Sequence, residues 1–70
     1  MKLKIGRFPR VPQGARFADY VAAWGKPSTS TTFSWCVSHD WIRFPMYLAN
    51  VDELPDGRAD FHWADFREKK

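Results

Sequence analysis

Six phenylalanines, four tryptophans and two tyrosines fall within seventy residues that contain a single cysteine. That pairing constrains the fold more than any other feature. A chain of this length hides only about 60% of the surface its unfolded form exposes, so small domains of this size usually lean on disulfides, metals or an unusually rich core. Cys36 has no partner within the chain, which excludes a disulfide-stapled miniprotein and points to a reducing compartment. The aromatic rings must therefore supply the stabilisation, since each buries a large apolar area on folding. With 44% hydrophobic and 27% charged residues the composition is globular, and residues 1–70 read as one small domain. No apolar run is long enough to span a bilayer, and no apolar segment follows the charges of Met1–Lys4, so the expectation is a soluble, cytoplasmic protein without membrane contact.

The clearest local signal is a helix. Phe17, Tyr20, Val21 and Trp24 recur at the spacing of one helical face, with Arg16, Asp19 and Ala23 on the other side. Gly25 offers a C-terminal cap and Pro27 blocks continuation, so the helix is predicted over residues 14–24. So short a helix is marginal alone and must lie on a sheet. Before it, Leu3 and Ile5 alternate with Lys2 and Lys4, predicting a strand from Lys2 to Phe8 in which a bulge at Gly6 returns Phe8 to the buried face. After a polar linker at Ser28–Thr31, the alternation of Phe33, Trp35 and Val37 with Thr32, Ser34, Cys36 and Ser38 is the strongest strand pattern in the chain. His39-Asp40 then falls where a hairpin turn is expected.

Trp41–Leu48 is read as the next strand, with Ile42, Phe44, Met46 and Leu48 on one face and Trp41 and Tyr47 opposed to them. Phe44, Tyr47, Leu48 and Val51 also fit a helical period, and Pro45 suits a first helical turn, so residues 44–54 keep a helical alternative. Asn50–Glu53 resembles a capping box opening one helical turn, Leu54-Pro55-Asp56-Gly57 a tight turn, and Ala59–Phe66 a last strand. The predicted class is α+β, one amphipathic helix packed on a small, mainly antiparallel sheet in β-α-β-β-β order.

Charge is uneven along the chain. The net value is +3, but residues 1–16 carry Lys2, Lys4, Arg7, Arg10 and Arg16 and no acid. Residues 51–70 set Asp52, Glu53, Asp56, Asp60, Asp65 and Glu68 against Arg58, Arg67, Lys69 and Lys70.

No motif points to catalysis or a cofactor. Cys36 or Ser38 with His39 and Asp40 has the residue types of a nucleophile, base and orienter, but neighbours on a strand point to opposite faces and do not converge. Cys36 and His39 stand at a zinc-like spacing, yet no second close pair supplies the remaining ligands, so no metal is expected; the simpler reading makes Cys36 a small packed residue and both histidines surface groups.

A core of Phe17, Tyr20, Trp24, Phe33, Trp35 and Phe44 leaves aromatics over. Phe61 and Trp63 are expected on one face of the last strand, His62 and Phe66 on the other, so either bulges re-aim some rings or an aromatic row faces outward. Exposed Trp, Tyr and Arg anchor protein interfaces, which makes Arg7, Arg10, Trp41, Arg43 and Tyr47 the candidate contacts. The expectation is a non-enzymatic protein-binding module. The role expected is that of the inhibitors and adaptors encoded by phages and mobile elements, which mask or bridge a host protein or nucleoprotein complex. The alternative is a small nucleic-acid-binding domain that meets DNA or RNA phosphates through Lys2, Lys4, Arg7, Arg10 and Arg16.

Overall fold

The computed structural model describes residues 5–66. One helix, α1 (Phe17–Trp24), precedes four strands: β1 (Thr29–Thr32), β2 (Val37–Arg43), β3 (Tyr47–Glu53) and β4 (Ala59–Ala64). The strands form one antiparallel sheet in the order β1-β2-β3-β4, so the chain is an α+β domain built as a meander with a helix on one face. No helix among the described residues is long and apolar enough to cross a membrane.

Helix α1 follows the predicted face. Tyr20 and Trp24 are buried, while Phe17 and Val21 pack against them. It starts later than residue 14 because residues 12–15 close a turn, Ala15 N–H donating to the Pro12 carbonyl at 3.2 Å. The Asp19 carboxylate then accepts the Arg16 backbone N–H at 2.9 Å, a helix-start bond that satisfies one otherwise orphaned donor. Gly25, at φ 85°, ends the helix and returns its N–H to the Val21 carbonyl at 2.8 Å.

Trp24 is the centre of the core. Its ring lies 5.0 Å from Phe8, 5.0 Å from Tyr20 and 5.2 Å from Trp41, the last edge to face. Both indoles find acceptors, Trp24 on the Pro9 carbonyl at 2.8 Å and Trp41 on the Gly25 carbonyl at 2.9 Å. Beneath the helix, β3 presents Ala49 and Val51, both fully buried; small side chains there let α1 approach the sheet.

Several predicted elements move. The predicted first strand lies partly outside the described residues, and the part within them makes isolated parallel bridges, Ile5 to Phe44 and Phe8 to Phe66. Gly6, at φ 95°, turns the chain between those bridges, so Phe8 is fully buried while Ile5 is 79% exposed, not on the same face. The Ser28–Thr31 linker is most of β1, and the strong alternation over Thr32–Ser38 spans a hairpin loop, since Thr32 pairs Val37 and Phe33 N–H donates to the Cys36 carbonyl at 2.7 Å. Phe33 and Trp35 stack on each other at its tip, 5.7 Å apart and exposed, and so leave the core expected of them. His39-Asp40 is no turn but the middle of β2. The turn comes instead at Phe44–Met46, which carries a cis Phe44–Pro45 bond; Phe44 is exposed there. Residues 50–53 continue β3 and form no helical turn, which settles the open strand-or-helix question in favour of strand. The Leu54–Gly57 turn forms as predicted, Gly57 N–H donating to the Leu54 carbonyl at 2.9 Å.

The last strand contains a bulge. Asn50 pairs Trp63 and Val51 pairs Phe61, which leaves His62 as the extra residue. A one-residue insertion sends the flanking side chains to opposite faces. Phe61 therefore stacks on the helix side with Tyr20 and Phe66, and Trp63 faces away with Asn50, rather than both sharing one face as the alternation predicts.

Candidate functional site

Strand β2 sorts its residues by face. His39, Trp41 and Arg43 point toward α1 and are buried, while Ser38, Asp40 and Ile42 point to the face that none of the described elements covers. The expected outward placement of Trp41 and Arg43 is thereby corrected. Trp41 is 2% exposed and Arg43 7%. The Arg43 guanidinium lies 4.6 Å over the Phe8 ring and donates to the Arg7 carbonyl at 3.1 Å, so it fastens the amino-terminal segment to the sheet.

The remaining candidates lie nearer the surface. Tyr47 is half-buried, with the exposed Arg7 guanidinium 5.0 Å above its ring. Arg10 is exposed and lies 4.5 Å over Phe66. Arg16 is exposed at the start of α1 and donates to the Asp56 carbonyl. Lys2 and Lys4 lie outside the described residues. Arg7, Tyr47 and Arg43 come together at one end of the sheet, and Arg10 and Arg16 line a cleft elsewhere.

The uncovered face divides into two halves. Its apolar half is Ile42, Leu48 and Trp63; Ile42 sits directly opposite Leu48 and is 38% exposed, and Trp63 is 48% exposed. Phe44, Met46 and Ile5 extend this surface around the β2–β3 turn, with Met46 74% exposed and the Gly6 N–H holding the segment to the Phe44 carbonyl at 2.9 Å. The sequence puts Ile42, Phe44, Met46 and Leu48 on one face of a single strand, Phe44 in the core, and Trp41 and Tyr47 on the opposite face. In β2 it is Trp41 that is buried and Ile42 that faces out, and a turn at Phe44–Met46 ends the alternation. The strand's own residues gave no signal for this phase, because the Gly25 and Arg7 carbonyls that satisfy the buried indole and guanidinium come from distant segments.

The polar half is tightly bonded. The Asn50 amide donates to Asp40 Oδ1 at 2.8 Å and to Ser38 Oγ at 3.1 Å, and Thr29 bonds the other Asp40 oxygen at 3.4 Å. His62 Nε2 stands 2.9 Å from Asp52 Oδ2, and Cys36 Sγ donates to the same oxygen at 3.6 Å. Burial works to raise the Asp52 carboxyl, but the hydrogen bonds from His62 and Ser38, with the imidazole's charge and the thiol, outweigh it and hold the group below its ordinary value. Burial, followed by the nearby Asp52 and Asp60 carboxylates, pushes the Cys36 thiol up.

Cys36 and His39 do not meet. Cys36 turns to Asp52, whereas His39 is buried on the helix side, 4.3 Å from the Phe17 ring, so it is not the surface group the sequence suggested. Both its ring nitrogens are engaged, Nδ1 with Ser30 at 2.6 Å and Nε2 with Glu53 at 3.0 Å. A different set gathers metal-ligand types: Asp52, Asp60 and His62 bring their donor atoms within 4.8 Å of one another on the exposed face. Its acid and imidazole already bond each other there.

Compared with protein-family models, with curated proteins and with solved structures, the chain finds no match in any of the three.

Proposed function

We propose that this chain is a non-enzymatic protein-binding module that docks a partner on its uncovered sheet face. The observation behind the reading is the apolar half of that face. A domain with so little core to spare leaves Ile42 and Trp63 partly exposed beside Phe44 and Met46, side chains whose burial would stabilise the chain if nothing else covered them. Aromatic and methionine side chains are the types enriched at the centre of interfaces, and the adjoining Asp40, Asp52 and Asp60 provide a polar, acidic rim. The complementary partner presents an apolar ridge flanked by basic residues. A module of this kind acts as an inhibitor or adaptor, masking or bridging a host protein or nucleoprotein complex.

The test is capture of a partner from host extract with and without nuclease, its identification, and titration of the purified partner with Trp63→Ala and Met46→Ser variants. Each anchor truncation is expected to weaken binding by at least about 1–2 kcal/mol, roughly tenfold, with the fold intact by circular dichroism. Undiminished affinity in both variants would refute the reading. The nucleic-acid alternative rests on exposed Arg7, Arg10 and Arg16 together with Lys2 and Lys4 of the sequence. It predicts the opposite pattern, with affinity that falls steeply with salt, is lost on neutralising those residues and is indifferent to Trp63→Ala.

A further inference from the structure

A cleft of about 680 Å³ lies on the helix side, away from the Ile42–Trp63 face, between the loop before α1 and strand β4. Its walls carry three arginines, Arg10, Arg16 and Arg58, and its apolar lining includes Tyr20, Phe61 and Phe66. The volume falls within the range of small-ligand sites, which are mostly apolar with a few placed polar groups.

Two of the arginines face each other at a cost. Arg16 and Arg58 are direct partners across an isolated antiparallel bridge, and like charges directly opposite are destabilising. Their heads are nonetheless held in place. Arg16 donates through Nη2 to the Asp56 carbonyl and lies against Gly57, where a Cβ would come within 2.7 Å of it. Arg58 Nε bonds the Asp56 carboxylate at 2.7 Å, and the same carboxylate accepts the Arg58 backbone N–H at 3.1 Å. Asp56 is thus occupied at the rim, and Asp19 is turned to the start of α1. Arg10, its guanidinium carbon 4.5 Å from the Phe66 ring centre, makes no ion pair among the described residues. An exposed guanidinium keeps N–H donors that can grip a phosphate in two places.

The rings supply the second half of the site. Phe61 contacts both Tyr20 and Phe66, near-parallel to Tyr20 at 7° and tilted 29° from Phe66, and it is partly exposed. Aromatic faces beside a cationic rim are the pairing used to hold a base and its phosphate together.

We infer that this cleft binds a nucleotide unit, its phosphate on Arg10, Arg16 and Arg58 and its base against the exposed part of Phe61. The unit is supplied either by a free nucleotide or by a single strand, and the experiment separates these sources. Adenosine monophosphate, adenosine, inorganic phosphate and a short oligodeoxyadenylate are titrated into the full chain, read by calorimetry and by the aromatic proton shifts of Tyr20, Phe61 and Phe66. The monophosphate is expected to bind saturably and to shift those rings, with adenosine and phosphate each about tenfold weaker or more. Arg58→Gln and Arg10→Gln, both exposed heads, are each expected to weaken it by about tenfold while the fold persists by circular dichroism. An oligonucleotide that binds more tightly than the monophosphate, with the same sensitivity, identifies a strand as the source; a monophosphate that binds as tightly or better identifies a free nucleotide. Silence of the three rings at millimolar monophosphate and oligonucleotide overturns the inference. So does affinity that survives both arginine substitutions. Trp63→Ala leaves nucleotide binding unchanged if the cleft is the site, so the protein-docking reading and this one stand or fall separately.

Discussion

Trp41 and Trp63 make the most direct experimental contrast in this molecule, because the alternation of the sequence alone does not say which indole is structural. Trp41 is 2% exposed, packs 5.2 Å from Trp24 and 6.1 Å from Phe17, and donates to the Gly25 carbonyl. Trp41→Ala removes a large buried aromatic, which costs about 3–5 kcal/mol, and strands a carbonyl at the end of α1 for about 1–3 kcal/mol more. At roughly 0.05–0.15 kcal/mol per residue the whole domain has only about 4–10 kcal/mol of stability, so this variant is expected to be largely unfolded. Trp41→Phe gives the measurable case. It keeps a ring in the core but loses the indole hydrogen bond and part of the volume, for about 1–3 kcal/mol. With a urea dependence of roughly 1 kcal/mol per molar for a chain this small, its unfolding midpoint should fall by about 1–3 M. Trp63, 48% exposed on the uncovered face, should tolerate alanine at a cost below about 1 kcal/mol. The assay is equilibrium urea unfolding of the three variants, followed by far-ultraviolet circular dichroism, since removing an indole changes the intrinsic fluorescence. A Trp41→Ala protein with the parental midpoint, or a Trp63→Ala penalty larger than that of Trp41→Phe, would refute the assignment of faces.

Gly57→Ala should destabilise by about 1–2 kcal/mol by thermal or urea unfolding, because φ +89° is a left-handed conformation and the new Cβ would displace the Arg16 head from the Asp56 carbonyl; an unchanged midpoint would remove the structural role given to that glycine. The depressed Asp52 carboxyl contributes stability that is fully present above its unfolded value of about 4 and is lost as pH falls through the lower folded value. Comparing wild type with Asp52→Asn across pH 2–7 should therefore show a smaller acid-induced loss in the variant, and identical profiles would contradict the His62–Asp52–Ser38 arrangement.

The helix was legible from sequence because its information is local. Phe17, Tyr20, Val21 and Trp24 share a face at the helical period whatever lies opposite, and Gly25 ends the helix through its own backbone freedom. The α+β class followed from that face needing a sheet to cover it. The Leu54–Gly57 turn was equally readable, since turn chemistry resides in the residues that make it. The basic amino-terminal segment was legible as charge, though not as a cleft. Arg58 comes to Arg16 only through the bridge that pairs them, from more than half the chain away.

Strand phase and hairpin position are a different kind of information. A two-residue period is the same whether read from one face or the other, and over Phe33–Cys36 it is the same in a loop as in a strand. What decided them was pairing between distant segments. Trp24 fills the space under α1 and leaves room at Trp41, so Trp41 turns inward, Ile42 outward, and the hairpin loop falls at residues 33–36, where Phe33 and Trp35 stack on each other. The bulge at His62 then divides Phe61 from Trp63, giving one ring to the arginine-lined cleft and the other to the open face. The residue types that make each surface were written in the chain. Their assignment to surfaces was set by which face of the sheet the single helix covers, because burial of one set of side chains on that face fixes the direction of every alternating neighbour.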